Sequence, residues 1–294
     1  MRSIEQSTPA MIWRAFFVLA LVIGPAVRGA GPATTFPELS QTGKPGPEEA
    51  ARLVAQFRNS GIPGDYFLEF ELRSLLRRGG EGAIIRGRWW GSRNDRGALS
   101  RIELTDAAGV AYRFILQNGD DAAVWRVAGD RPVKLGVEEQ LAPLVPGVEV
   151  SAFDLQMPFL YWPGATVEKI TRVLGRPAHA FLFPAPAAFT AQHADIGAAR
   201  AYLDTQFNVP MQTEIIGRTG RVTKTLELLS LKTVERQTLP KTADYRNEVT
   251  RDKTRLQLTG AALNLQFPSA VFDPASLLQP ALAPAADRVV RIEP

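Results

Sequence analysis

From Tyr66 onward the polarity of the chain alternates residue by residue. Tyr66, Leu68, Phe70 and Leu72 fall on one side, and Phe67, Glu69, Glu71 and Arg73 on the other. A period of two is that of a β-strand with one apolar and one mostly polar face. The alternation recurs in AIIRGRWW, which sets Ile85 and Trp89 against Arg86 and Arg88, and in SRIELTD. VAYRFILQ groups Tyr112, Phe114 and Leu116, and AAVWRVAG follows. Turn signals at Ala107-Ala108-Gly109 and Asn118-Gly119 separate these runs, so the region predicts a five-strand antiparallel meander. Ahead of it the period is helical: Ala50, Leu53, Val54 and Phe57 form one apolar stripe. Pro47-Glu48-Glu49 suits the start of that helix, and Gly61 and Pro63 close it.

Residues 136–165 are less regular, with a short helix predicted in VEEQLAPL. Strands resume in ATVEKITRVL and AHAFLFPAP, on either side of a turn at Gly175-Arg176-Pro177. A proline- and alanine-rich loop spans 184–196, and more strands follow in AARAYLDTQFNVPMQTEIIG, RVTKTLELLSLKTV and DYRNEVTRDKTRLQLTGAALNL. The total is about ten or eleven strands. An antiparallel sheet of that size curls or closes, and the inside so created is either packed or a ligand cavity. Within the irregular region, DLQMPFLYWPG carries Leu155, Met157, Phe159, Leu160, Tyr161 and Trp162 between prolines. The prolines argue against a long helix or a buried strand. The segment reads as a shaped connector laid against the curved sheet, either as a plug or as a lid.

The first residues differ from the rest. Arg2 and Arg14 precede the apolar run AFFVLALVIGPAV, and small residues follow. This is the layout of a secretory signal peptide over residues 1–29; the run is short for a membrane span and Gly24-Pro25 interrupts it. The expected location is therefore the periplasm. Residues 1–29 carry three arginines and Glu5, so the mature chain has 31 basic and 29 acidic side chains, +2 net. That balance gives no dominant electrostatic partner, and export speaks against nucleic acid. Cysteine is absent from the sequence. This excludes disulfides, a thiol nucleophile, thiolate-bound zinc and lipid attachment at an N-terminal cysteine.

Specific catalytic sets are missing. The two histidines, His179 and His193, show no HExxH spacing, no GxSxG elbow occurs, and GKPGPEE lacks P-loop order. No enzyme, no cofactor and no metal is the expectation. The basic series from Arg218 to Arg255 interleaves with acids and reads as the charged outer face of a sheet. The aromatics carry more. Tyr66, Phe70, Trp89, Tyr112, Phe114 and Trp125 come from consecutive strands and can share one face, either as ordinary core or as the lining of an apolar pocket.

The second half carries a family resemblance. An Asp154-Leu155 pair leads into an apolar, aromatic segment, a strand, Gly175-Arg176-Pro177 and another strand. Leu203-Asp204, Pro210, Glu214 and Gly220 then space a strand–turn–strand unit. Leu256, Leu258, Asn264, Phe272, Pro274 and Leu277 mark the closing strand and a short terminal element. These features, over residues 110–278, resemble the outer-membrane lipoprotein-sorting proteins, the LolA-like family. The resemblance implies a mainly β fold: a half-open antiparallel β-barrel with an N-terminal helix and short lid helices, whose apolar concave side holds acyl chains. The domain organisation expected is a signal peptide (1–29), a flexible linker (30–47), one LolA-like domain (48–278) and a loose C-terminal tail (279–294). Its expected function is a periplasmic lipid or lipoprotein carrier, with Tyr66, Phe70, Trp89, Tyr112, Phe114 and Trp125 lining the site. Met157, Phe159, Leu160 and Trp162 would form its lid. Its partners would be a lipid or a lipid-modified protein, with a transient membrane or envelope-protein partner. The alternatives are a protein-partner or envelope-stress regulatory module on the same fold, and a hydrolase with a dispersed site.

Overall fold

The structure, a computed structural model, describes residues 44–76, 81–206 and 209–293. The expected signal peptide, and residues 30–43 of the expected linker, lie outside the described residues. Helix α1 (Pro47–Asn59) opens the chain, with Pro47 in its first turn beside Glu48 and Glu49. Six strands follow: β1 (Asp65–Leu75), β2 (Glu81–Asn94), β3 (Gly97–Thr105), β4 (Ala111–Gln117), β5 (Ala123–Ala128) and β6 (Arg131–Lys134). Two short helices come next, α2 (Val137–Leu141) and α3 (Ala152–Gln156). Then come β7 (Thr166–Val173), β8 (Arg176–Pro184), a one-turn α4 (Ala187–Thr190), β9 (Ile196–Asp204) and β10 (Pro210–Gly217). The long strands β11 (Val222–Val234), β12 (Gln237–Asn247) and β13 (Lys253–Leu265) precede a two-residue β14 (Val290–Arg291).

All the strands join one antiparallel sheet of 14, in the order β6-β5-β4-β3-β2-β1-β13-β12-β11-β10-β9-β8-β7, with β14 added to β13. Two meanders are thus joined side by side through β1 and β13. Strands β6 and β7 are the edges, so the sheet curls without closing, a half-open antiparallel barrel. The strand count exceeds the expected ten or eleven. Strand β6 (RPVK) and β14 are too short to show a period, and Pro240 hid the start of β12.

One consequence of this order concerns residues 135–165. They run from one edge strand to the other and therefore cross the concave side. Leu135, Leu144, Val145, Val148, Val150 and Ala152 pack there with Phe70, Ile102, Leu104, Phe114 and Leu226.

The convex side has an apolar core of its own. Phe67, Trp90 and Ala262 lie in register across β1, β2 and β13, and Phe272 and Val289 cover them. Residues 279–293, expected as a loose tail, are instead anchored to the sheet, and Ala281 and Val289 join this cover. Trp90 Nε1 donates to the Leu282 carbonyl at 3.1 Å, and the Ala281 amide donates to Glu103 Oε1 at 2.8 Å. Val289 is 8% exposed in this cover, whereas Ile292, 3% exposed, joins the concave core. Prolines break up this stretch, but they prevent neither docking nor the short β14 pairing. The doublet Trp89-Trp90 required a cover, because alternation sends one indole to each face.

Two glycines shape the concave face. Gly87 and Gly91 lie opposite Phe70 and Tyr66, and the rings fold over them. A Cβ at Gly87 would come within 2.2 Å of the Phe70 ring, and one at Gly91 within 2.0 Å of the Tyr66 ring. Gly87→Ala is expected to cost roughly 1–3 kcal/mol by forcing Phe70 into the packed core. Thermal unfolding of the variant measures this; an unchanged midpoint would show that the ring moves freely.

Candidate functional site

Register decides which predicted residues share the concave face. Leu68, Trp89, Ile102 and Phe114 form one row across β1–β4, and Tyr112 lies in the row of Leu104 and Gly87. Tyr66 and Phe70 stand over their glycines in adjoining rows. Five of the six predicted strand aromatics therefore face inward: Tyr66, Phe70, Trp89, Tyr112 and Phe114. All five belong to or pack against the concave core, and Phe70 meets Trp89 edge-on at 6.4 Å.

Trp125 does not join them. It lies opposite Ile115 and Lys134, and Ile115 lies opposite Arg101, which places Trp125 on the convex face. The β4–β5 turn sets Leu116 against Val124, so the inward residue of β5 is Val124. A one-residue change of register exchanges the two faces of a strand, and the sequence of AAVWRVAG does not specify it.

The predicted lid residues lie over the other half of the sheet. The stretch Asp154–Gly164 is partly helical: α3 ends at Gln156, and Pro158 starts a 3-10 turn over Pro158–Tyr161. Between them Met157 takes a left-handed backbone (φ 49°, ψ 53°), a conformation unfavourable for a side-chain-bearing residue. This joint lets both turns lay rings on the sheet. Phe159, Leu160 and Trp162 are buried with Phe153, Phe181, Phe183 and partly buried Phe189. Phe159 lies 6.0 Å from Phe153 and 5.8 Å from Phe183, and Trp162 lies 4.8 Å from Phe189. Met157 touches both this cluster and the concave core. The strand aromatics and the lid aromatics are thus neighbours through Met157, and they form two clusters rather than one pocket lining.

Side chains outside the predicted set hold the lid down in three places. Gln156, 2% exposed, donates from Nε2 to the carbonyls of Gln117 (2.6 Å) and Ala123 (3.2 Å). Arg58, at the end of α1, donates from Nε to the Leu160 carbonyl at 2.7 Å and lies 4.9 Å above the Tyr161 ring. Asp154 pairs with Lys224 of β11 and accepts from the Ser151 amide and hydroxyl, each at 2.7 Å. The Ser151–Asp154 capping box was readable from S-x-x-D before an apolar run. The distant partners Arg58 and Lys224 carry no local signal. Phe181 and Phe183, two apart in AHAFLF, could have been assigned to one face by period alone.

Burial governs the titratable groups. It pushes the Tyr66 phenol up to about 12, against the hydrogen bond with Ser100. It raises Tyr245 as well, with the Asp154 carboxylate adding to the effect. Burial lowers the His179 imidazole, and Glu49 of α1 works in the opposite sense. His179 lies on β8 beside Phe181, whereas His193 follows α4, stacks on Phe189 and pairs with Asp195. Among the described residues no group of three His, Asp or Glu is placed to hold a metal ion. Among them, too, no helix is long and apolar enough to cross a membrane.

Two clefts lie away from the aromatics. One, of about 470 Å³, is lined by Glu214, Arg221, Thr225, Glu227, Arg246 and Glu248, and the other, of about 620 Å³, by Gly46–Glu49 and Arg52. Both are open, and the first is lined mainly by charged and polar side chains.

No family model and no curated protein matches the chain. Solved structures do. A putative outer membrane lipoprotein-sorting protein domain from Vibrio parahaemolyticus aligns with a TM-score of 0.65 at 14% identity, over 77% of this chain and 97% of that one. A DUF1329 family protein from Desulfovibrio piger gives 0.65 at 12% identity, over 79% and 98%. A LolA superfamily protein from Nitrosomonas europaea gives 0.58 at 13% identity, over 76% and 96%. At such identities the likeness is one of backbone architecture, and with the half-open sheet and its crossing lid it establishes that this chain has the LolA-like fold.

Proposed function

We propose that this protein is a periplasmic carrier that holds the acyl chains of a lipid or lipid-modified protein between the concave sheet and the lid. One observation carries the reading. The segment crossing the open barrel is apolar on its inner side and made of one-turn helices joined at a strained residue, Met157. Such a segment can be displaced as a unit. An acyl chain with about a dozen buried CH₂ groups gains about 10 kcal/mol at 0.8 each. Lifting Phe159, Leu160 and Trp162 gives up about 5–9 kcal/mol at 1.5–3 each, so an acyl chain offsets the apolar part of the cost, to which the bonds of Gln156, Arg58 and Lys224 add. The reaction is binding and release, and it requires no catalytic group. The N-terminal pattern of residues 1–29 supports the compartment, and the fold shared with a lipoprotein-sorting domain supports the ligand class.

Trp89→Asp tests the concave face. Its indole N–H is buried without a hydrogen-bond partner, on the inward row of β2. A carboxylate there is expected to abolish binding of a fluorescent fatty acid while circular dichroism stays native. Retained binding with the fold intact would show that this face is not the ligand face.

A second reading has its own observation. The concave side is already filled by the protein's own rings, with Phe70 2% and Phe159 1% exposed. A filled face suits a module that binds a protein partner through its outer surface or rim. Native mass spectrometry separates the two, since a carrier arrives with lipid bound.

A further inference from the structure

Lys224 is the charged side chain that the lid covers. On β11 it lies opposite Ile215 of β10 and Asn247 of β12, and Ile215 belongs to the core beneath the lid. The ammonium therefore stands on the concave side. Two residues further on, Leu226 and its cross-strand partner Tyr245 are both buried in the concave core. The Lys224 side chain is 20% exposed and that of its partner Asp154 is 7%.

The two halves of this pair are not equivalent. Asp154 lies in the first turn of α3, and the amide and hydroxyl of the N-cap Ser151 both hydrogen-bond its carboxylate. When the lid lifts, Asp154 takes those two donors with it. Lys224 stays behind on an apolar wall. Glu149, another carboxylate of the crossing segment, accepts from Asn247 at 3.2 Å, and its amide is tied to Thr254 Oγ1 at 2.7 Å. Stripping one partner from a largely buried ion pair is unfavourable, because the remaining charge is unpaired and only partly solvated beside an apolar wall. An uncharged acyl chain would leave that deficit in place. An anionic headgroup would remove it.

We infer that the lid carboxylate of Asp154 occupies the position of a ligand headgroup, and that Lys224 makes the site selective for amphiphiles carrying a single anionic headgroup. This rests on the lipid reading above. The chemistry asked for is a carboxylate or phosphate attached to an apolar tail. Tyr245, buried beside the pair and kept protonated by burial, is positioned as a neutral neighbour that does not compete for the cation.

The test uses the whole protein with cis-parinaric acid and its methyl ester, which share a tail and differ in charge. The wild type is expected to bind the acid at least 10-fold more tightly than the ester. In Lys224→Met that ratio is expected to fall to about one. Should Lys224→Met fail to fold, the double variant Asp154→Asn/Lys224→Met removes both charges and reads the same ratio. Equal affinities in the wild type, or a ratio that survives loss of Lys224, would overturn the inference and leave the carrier reading standing. Binding of neither probe would overturn the carrier reading, and the inference with it. Acetate and inorganic phosphate at millimolar concentration are expected not to displace the acid. Displacement would show a site for free anions and would also overturn the inference.

Discussion

Arg101→Ala is expected to lower stability by about 3–5 kcal/mol, more than any surface change, and to release the C-terminal strap. Arg101 is 1% exposed on the convex face of β3. Its guanidinium donates to the Val271 carbonyl (3.1 Å), the Ser276 hydroxyl (2.7 Å), the Ser276 carbonyl (3.2 Å) and the Gln279 carbonyl, and it pairs with Glu103 at 2.7 Å. One side chain therefore fastens nine residues, mostly 3-10 turns, to the sheet, with Val271 and Gln279 at their limits. Alanine would strip the guanidinium from all of these acceptors and leave Glu103 with the Ala281 amide as its donor. Urea unfolding gives the loss, and amide hydrogen exchange over residues 270–282 shows where it falls. Arg101→Lys is expected to recover little, because a single ammonium cannot reproduce the five-donor fork. A variant with wild-type stability and an unchanged exchange pattern would mean the strap is held by its apolar contacts with Phe67 and Trp90 alone.

Phe159→Ala is expected to cost about 3–5 kcal/mol, the range for truncating a fully buried aromatic side chain. The loss should be local before it is global. Phe159 joins the lid to β8 through Phe183 and joins the two lid turns through Phe153 and Trp162. Without it the lid keeps Gln156, Arg58 and the Asp154–Lys224 pair but loses the centre of its ring cluster. Uptake of an apolar dye such as N-phenyl-1-naphthylamine should rise relative to wild type at temperatures below the melting transition. Dye uptake that changes only when the whole protein unfolds would show that the lid does not open independently of the sheet.

Much of the fold was legible because a strand with one wet face prints its period on the sequence. The meander from Tyr66 to Ala128, the helix at Pro47–Asn59 and the strand pair around Gly175 are of this kind. The inward set Tyr66, Phe70, Trp89, Tyr112 and Phe114 followed from the same alternation. Trp125 did not, since its face depends on the β4–β5 register rather than on its neighbours. The C-terminal residues read as loose because prolines erase periodicity, yet the Trp90 indole on the convex face and the buried Arg101 gave them a docking place.

Local pattern, a property of a few consecutive residues and of water, decided the elements, their apolar faces and the apolar character of Asp154–Gly164. Tertiary structure alone decided where that segment lies and what holds it. Arg58 meets Leu160 across 102 positions, Lys224 meets Asp154 across 70, and Trp90 meets Leu282 across 192. The first two contacts exist because β6 and β7, consecutive in the chain, are opposite edges of an unclosed sheet, so the segment between them must cross its hollow side; the third docks the C-terminal strap on the convex face. No window of sequence contains both partners, so the lid and its fastenings emerge only when the sheet has curled.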